Sequence, residues 1–351
     1  MSKNLKVAVI EGDGIGPEIV RESVKVLKKT AEKHNFNIGL IDAPAGGETY
    51  KKHGTTLPME TMQKCKEADL IIKGPVGLPE LPQGRVEREV VLGLRQELNL
   101  FVNLRPIKLY ECLCKRSPLK DRVIGKGINY VIVRENSEGL YSKKGKTTPR
   151  RAYDLDLCTK KGADRIIKYA FKLTKQLGKS KLSSVDKANV LLSGKFWRAR
   201  FEEIAETYQN IQVESIYVDA MAQYMVRWPD SYEVVVTNNM FGDILSDLGA
   251  ETVGSLGMGG SVNLKPRGVV MAEAIHGSAP DIAGKGIANP IGIILGVEYA
   301  LQALGFKSSA NSIEKAIQKT LYSGVRTKDI ADKNAQYAST QQMGDEIAKR
   351  I

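Results

Sequence analysis

Short β-type apolar runs alternate with helical patterns along this chain, and that rhythm constrains the fold more than any other feature. VAVI (7–10) precedes an amphipathic stretch from Ile19 to Ala31, IGLID (38–42) precedes Leu57 to Ala68, and LIIKG (70–74) follows. The pattern recurs at YVIVREN (130–136), at VVVTNNMFGDILSD (234–247) and through the last third. Neighbouring parallel strands need a crossover, and a helix supplies it, so the alternation predicts an α/β fold with parallel strands. The 351 residues suffice for two lobes and a large core, and no low-complexity linker or repeat divides them. The expectation is two lobes on one continuous sheet.

Composition excludes several alternatives. Apolar residues make up 42% and charged residues 26%, ordinary values for a globular protein. No apolar run approaches the ~20 residues that span a bilayer, and the start MSKNLKVAVI lacks a signal-peptide layout. Cys65, Cys112, Cys114 and Cys158 form no CxxC, and His34, His53 and His276 are the only histidines, which argues against a His/Cys zinc site. A reduced, cytoplasmic protein is expected. The net charge of +12 admits nucleic-acid binding as an alternative. With 6% aromatics, dispersed cations and no binding motif, the expectation is a lysine-rich solvated surface instead, without nucleic-acid or membrane partners. The densest basic cluster, KKGKTTPRR (143–151), reads as an exposed loop.

The glycines in VAVIEGDGIGPEIV resemble a dinucleotide fingerprint but miss it. The third glycine of G-x-G-x-x-G comes one residue early, and Pro17 stands in its place. A tight turn packing helix on strand is the better reading. Elsewhere, Asp243 and Asp247 lie four apart on a predicted helix, so they project from one face. Two like charges there invite a cation, and paired oxygens suit Mg²⁺; Asp219, in YVDAM, offers a third. Arg95, Arg105 and Arg134 would suit a di- or tricarboxylate if they converge. Lys187, at a strand end, is a candidate proton acceptor, and Tyr141 a candidate donor. The loop EAIHGSAPDIAGKGIANP (273–290) is too long and glycine-rich for a simple turn, and its backbone amides need partners, which an adenosine moiety would give.

EGDGIGPEIV, LRQELNLFVNLRP, DKANVL, YVDAM, NMFGDILSDL and HGSAPDIAGKGIANP occur in the order and spacing found in one family. In these motifs, over nearly its whole length, the chain resembles the β-decarboxylating dehydrogenases, which include 3-isopropylmalate, isocitrate, homoisocitrate and tartrate dehydrogenases. The resemblance implies the family's non-Rossmann fold, with lobes at 1–102 plus 256–351 and at 103–255, and a dimer clasp arm near 141–165. It implies NAD held by Glu273, His276, Gly277, Ser278, Ala279, Pro280, Asp281, Ile282 and Asn289, with GDGIG beside the cofactor but not its pyrophosphate turn. It implies Mg²⁺ or Mn²⁺ held by Asp219, Asp243 and Asp247, and substrate carboxylates gripped by Arg95, Arg105 and Arg134. Lys187 would take the hydroxyl proton and Tyr141 protonate the enol carbon. In the family Lys187 and Asp219 come from the neighbouring subunit, so a homodimer, or a tetramer of such dimers, is expected.

The helix before Arg95 reads the substrate's third substituent in this family. Isocitrate enzymes carry Ser and Asn at the positions of Glu89 and Val91, and bacterial-type homoisocitrate enzymes an Arg at that of Leu92; none of these is present. Val91, Leu92 and Val190 would form an aliphatic pocket, which favours 3-isopropylmalate, converted to 2-oxoisocaproate in leucine biosynthesis. Arg88 supports the alternative, because an arginine there reaches toward the distal carboxylate of homoisocitrate or isocitrate. Asp281 favours NAD over NADP, by accepting from the adenosine ribose hydroxyls and repelling a 2′-phosphate.

Overall fold

The structure, a computed structural model, describes residues 4–351. The chain forms two compact units, one of residues up to Leu100 together with Gly254–Ile351, the other of Phe101–Val253. The strands are β1 (Asn4–Ile10), β2 (Asn37–Asp42), β3 (Leu70–Lys73), β4 (Val102–Lys108), β5 (Asn129–Glu135), β6 (Gly145–Thr148), β7 (Arg151–Asp154), β8 (Lys181–Asp186), β9 (Gln212–Tyr217), β10 (Val234–Thr237), β11 (Gly260–Leu264) and β12 (Val270–Ala274).

In the first unit the order is β2-β1-β3-β12-β11, parallel throughout except for the antiparallel β11–β12 pair. All four residues of β3 are buried, the mark of a parallel strand covered on both faces. The helix Gly16–His34 follows β1. Pro17 suits its first turn, Ile19, Val20, Val26, Leu27 and Ala31 are buried, and Asn35 ends it in the left-handed conformation. Lys33 and His34 lie in the last turn, where the helix dipole favours cations.

GDGIG is the turn that joins β1 to this helix, and the N–H groups of Asp13, Ile15 and Gly16 already have backbone partners. Ile15 N–H donates to the Ser278 carbonyl (2.9 Å) and Asp13 N–H to the Pro75 carbonyl (2.8 Å). The Asp13 carboxylate accepts from the backbone N–H groups of Gly47 (2.8 Å), Glu48 (3.0 Å) and Gly77 (2.8 Å). The Asp13 carboxylate also places a negative charge in the turn, which would repel a phosphate. Gly14 has φ +58°, and a Cβ there would lie 2.0 Å from the Ser278 carbonyl oxygen. Gly14→Ala should therefore destabilise the first unit by about 1–3 kcal/mol, seen as a lowered Tm in a thermal melt. An unchanged Tm would mean that the two loops do not depend on this contact.

In the second unit the order is β4-β5-β10-β8-β9, with β4–β5 antiparallel and the rest parallel. The helices Lys160–Gln176 and Leu192–Ala205 pack there through Phe171 and Phe201, whose stacked rings lie 5.7 Å apart. Within the stretch expected to form the clasp, β6 and β7 make a separate antiparallel hairpin, from Gly145↔Asp154 to Thr148↔Arg151. Its residues are almost all exposed, and a lone two-stranded ribbon is marginal in water. Residues 160–165, the end of that expected stretch, are helical.

Candidate active site

The second unit gathers arginines and carboxylates on one face of its sheet. Antiparallel register sets Asn103 opposite Arg134, so Asn103, Arg105 and Arg134 project together. The helix Asn239–Thr252 lies over them and presents Asn239, Asp243 and Ser246 at three- and four-residue spacing. Asn238 caps this helix by accepting from Phe241 N–H (2.9 Å). Arg105 donates from Nε to Asn103 (2.8 Å) and from Nη1 to Ser246 Oγ (2.6 Å), and lies 3.2 Å from Asp243 and 3.5 Å from Asp247. Arg134 donates from Nε (3.0 Å) and Nη2 (2.7 Å) to Asn239 Oδ1 and from Nη1 to Asp243. Tyr141 OH donates to Asp243 Oδ2 (3.1 Å).

Both arginines are buried, whereas the Asp243 and Asp247 side chains keep 35% and 52% exposure. Anchored cations beneath half-open carboxylates leave oxygen lone pairs for an incoming hard cation, and the donor set fits Mg²⁺ or Mn²⁺. Burial raises the pKa of Asp247, Arg105 opposes that, and the neighbouring Asp243 charge adds to the rise. Tyr141 is also raised, first by burial and then by Asp243. Its proton is therefore well held.

Arg134 has room because residue 242 is glycine. A Cβ on Gly242 would lie 2.6 Å from Arg134 Cγ and 2.7 Å from its Cβ, atoms near the backbone that cannot swing away. Gly242→Ala should push Arg134 off Asn239 and lower kcat/KM by about tenfold or more if Arg134 binds substrate, for the loss of charge-assisted contacts. Steady-state kinetics check this.

Lys187 and Asp219 form a separate pair. Parallel register sets Asp186 beside Tyr217, so the residues that continue β8 and β9 emerge side by side, and Lys187 Nζ lies 2.6 Å from Asp219 Oδ1. Asp186 is anchored by Arg198 (2.8 and 2.9 Å) and accepts from Ala188 N–H (2.9 Å), fixing the backbone on either side of Lys187. The hydrogen bond from Lys187 is the first cause holding Asp219 below the usual carboxylate range. Among the described residues no three His, Cys, Asp or Glu side chains are grouped to hold a metal. The three expected metal ligands are thus not brought together within one chain; Asp243 and Asp247 are, and Asp219 is not with them.

In the first unit, the loop after β12 is fastened from several sides. Ser278 is buried and donates to the Gly77 carbonyl (2.7 Å). Gly284 N–H donates to Glu18 (2.8 Å), and Thr340 donates through N–H to the Gly286 carbonyl (2.8 Å) and through its hydroxyl to that of Ala288 (2.6 Å). Asn289 is buried, donates to Asp329 (3.0 Å) and accepts from Ile291 N–H (3.0 Å), so its amide is used within the protein. Glu273 is buried in ion pairs with Lys73 and Arg95. Gly277, Pro280 and Asp281 are exposed, and His276, Ala279 and Ile282 are half-buried. Burial holds the His276 imidazole below its usual pKa, and its Nδ1 lies 3.0 Å from the Gly277 carbonyl.

Before Arg95 the helix widens: Leu92 N–H donates to the Glu87 carbonyl five residues back, a π-type step. Arg88 is exposed, and Glu89 accepts from Thr56 (2.6 Å) and pairs with Arg85 (3.1 Å). Val91 packs against the apolar core of the first unit, and Leu92 is half-buried. Val190, in the second unit, is 66% exposed. The sequence reading missed Asn103, Asn239, Gly242 and Ser246. Only the helical spacing of Asn239, Asp243 and Ser246 signalled a shared face.

The family model described as isocitrate/isopropylmalate dehydrogenase matches residues 6–347. The chain belongs to that family. It is accordingly an oxidoreductase of the decarboxylating dehydrogenase class. It is 42% identical to the 3-isopropylmalate dehydrogenase of Thermotoga maritima over 99% of both chains, and 41% identical to that of Bacillus subtilis over 99% of this chain and 97% of the relative. Among solved structures, isocitrate dehydrogenase from Methylococcus capsulatus superposes with a TM-score of 0.89 at 35% identity, covering 99% of both chains. Among the described residues, no helix is long and apolar enough to cross a membrane.

Proposed function

We propose that this protein oxidises and decarboxylates 3-isopropylmalate to 2-oxoisocaproate, with NAD and Mg²⁺ or Mn²⁺, in leucine biosynthesis. The observation that carries the reading is full-length similarity, at about two residues in five, to relatives named for that substrate. Local structure agrees in kind. Glu89 is engaged by Thr56 and Arg85, and no hydroxyl or amide stands at positions 89 and 91 to receive a third carboxylate. Leu92 and Val190, with Val91 bracing from the core, offer aliphatic surface to an isopropyl group. Leaving a carboxylate unpaired against them would cost about 3–5 kcal/mol.

When bound, the metal supplies Lewis-acid polarisation of the substrate oxygens and the nicotinamide accepts hydride. The chain's residues do the rest. Asp243 and Asp247, with Asp219, hold the cation; Arg95, Arg105 and Arg134 bind the carboxylates and fix the substrate's orientation. Lys187 Nζ, once its ammonium has given up a proton to solvent, receives the hydroxyl proton, and Tyr141 OH delivers one to carbon after CO₂ leaves. Asp281, which is exposed on its loop, accepts from the ribose hydroxyls and disfavours NADP. Lys187, Val190 and Asp219 act across a homodimer, each serving the other copy's site. Supporting this, Val190, Leu192, Trp228 and Ile244 expose apolar side chains on the second unit, and among the described residues no third strand pairs with the β6–β7 hairpin.

The test is kcat/KM for 3-isopropylmalate, homoisocitrate, isocitrate, malate and tartrate, side by side with NAD and with NADP. 3-Isopropylmalate with NAD should lead, and EDTA should abolish turnover until Mg²⁺ or Mn²⁺ is restored. A lead for homoisocitrate or isocitrate would overturn the assignment in favour of the reading that the exposed Arg88 supports. Arg88→Glu should then shift preference back toward the aliphatic substrate.

A further inference from the structure

Three buried charged side chains meet in the first unit and do not balance. Lys73, Arg95 and Glu273 are each no more than 4% exposed. Parallel register sets Glu273 on β12 opposite Lys73 on β3, and antiparallel register sets Ser261 on β11 on its other side. Asn263, two residues beyond Ser261, shares their face. The Glu273 carboxylate accepts from Arg95 Nη2 (2.8 Å), Asn263 Nδ2 (2.7 Å) and Ser261 Oγ (3.4 Å), and its second oxygen lies 3.0 Å from Lys73 Nζ. Among the described residues, Lys73 otherwise donates only to the Gly74 carbonyl (3.1 Å). Burial alone would raise the Glu273 pKa, but Lys73, Arg95 and Asn263 outweigh it and hold the group ionised.

Two cations therefore share one anion, and among the described residues no second carboxylate pairs with either. Among the described residues, the buried Arg95 Nε has no hydrogen-bond partner. A buried surplus charge and an orphaned guanidinium donor are both costly unless an anion completes them. We infer that Glu273 is a positioning residue for Arg95, not a cofactor contact, and that the surplus charge held by Lys73, Glu273 and Arg95 is completed by a substrate carboxylate. Glu273 takes one edge of the Arg95 guanidinium and Lys73 fixes the carboxylate from the opposite side. The remaining donors of Arg95 are left for the ligand. The inference rests on the proposed role of Arg95 in holding substrate and deepens it.

Four variants test it, with steady-state kinetics and, separately, calorimetric titration of 3-isopropylmalate with Mg²⁺ and of NAD. Arg95→Ala tests the underlying reading alone and should weaken 3-isopropylmalate binding. If it does not, the role of Arg95 fails and this inference fails with it. Glu273→Gln keeps the shape but removes the charge. It should raise the KM and Kd for 3-isopropylmalate by about tenfold or more while those for NAD stay within about twofold. Glu273→Asp, which keeps the charge at shorter reach, should fall between wild type and Glu273→Gln. Lys73→Met removes the surplus and should also weaken 3-isopropylmalate without weakening NAD. If Arg95→Ala weakens substrate but the Glu273 variants weaken NAD instead, or lower only Tm, the inference is overturned. Should Glu273→Gln fail to fold, Glu273→Asp and Lys73→Met decide by the same split between substrate and NAD.

Discussion

Lys187→Ala should lower kcat by about 10²–10⁴-fold, the range contributed by a positioned proton acceptor, while KM moves only a few-fold. The fold should survive. The partner, Asp219, is 62% exposed at its side chain, and an exposed ion pair contributes about 0–1 kcal/mol. The backbone around Lys187 is fixed by Asp186 and Arg198, not by the lysine side chain. Kinetics together with a circular dichroism melt separate the two effects. A variant with kcat near wild type would remove Lys187 from the chemistry.

Asp243→Asn should be more damaging, because one carboxylate serves four purposes. It pairs with Arg105 and Arg134, accepts from Tyr141 and faces the proposed cation beside Asp247. An amide keeps the shape but not the charge, so both buried arginines lose compensation and the cation loses a ligand. A fall in kcat/KM of about 10³-fold or more is expected, with weakened Mg²⁺ binding by titration. Stability should change less, by about 1–3 kcal/mol, because relief of repulsion with Asp247 one turn away offsets part of the loss. Tyr141 provides a second readout. Burial is the larger cause of its raised pKa and Asp243 the next, so removing that charge should lower the tyrosine pKa in an ultraviolet absorbance titration. An unchanged tyrosine titration alongside normal turnover would show that Asp243 and Tyr141 do not work together.

The alternation of β-type and helical runs led directly to two α/β units, because chain direction and crossover are local properties of sequence. The Gly-rich turn after β1 was also read correctly as packing, for a reason that composition could not reveal: Asp13 itself supplies the anion that its neighbours' amides bind. Spacing found Asp243 and Asp247, since a helix converts four residues into one turn. It could not find that Asn103, Asn239 and Ser246 hold the arginines from elements far apart in sequence. Nor could it show which polar atoms are already bonded inside the protein. Glu273 and Asn289 belong to the loop motif by position, yet their polar atoms are bonded to Arg95, Lys73, Asp329 and Ile291. Asp219 shows the same limit, its spacing giving no sign that it pairs with Lys187 apart from Asp243 and Asp247.

The order of strands in the first unit sets a problem for a ribosome. β3 is buried on every residue, and its parallel partner β12 begins only at Val270, after the whole of the second unit has been made. At about 5–20 residues per second, a nascent chain carries Leu70, Ile71 and Ile72 on an unpaired edge for roughly 10–40 s. During that time the continuous second unit has all its own strands available and can finish folding. The interrupted unit cannot, and an apolar strand with a free edge is what chaperones shield and aggregates recruit. Slower synthesis through codons 101–253 is therefore expected to lower yield without changing the stability of the finished protein.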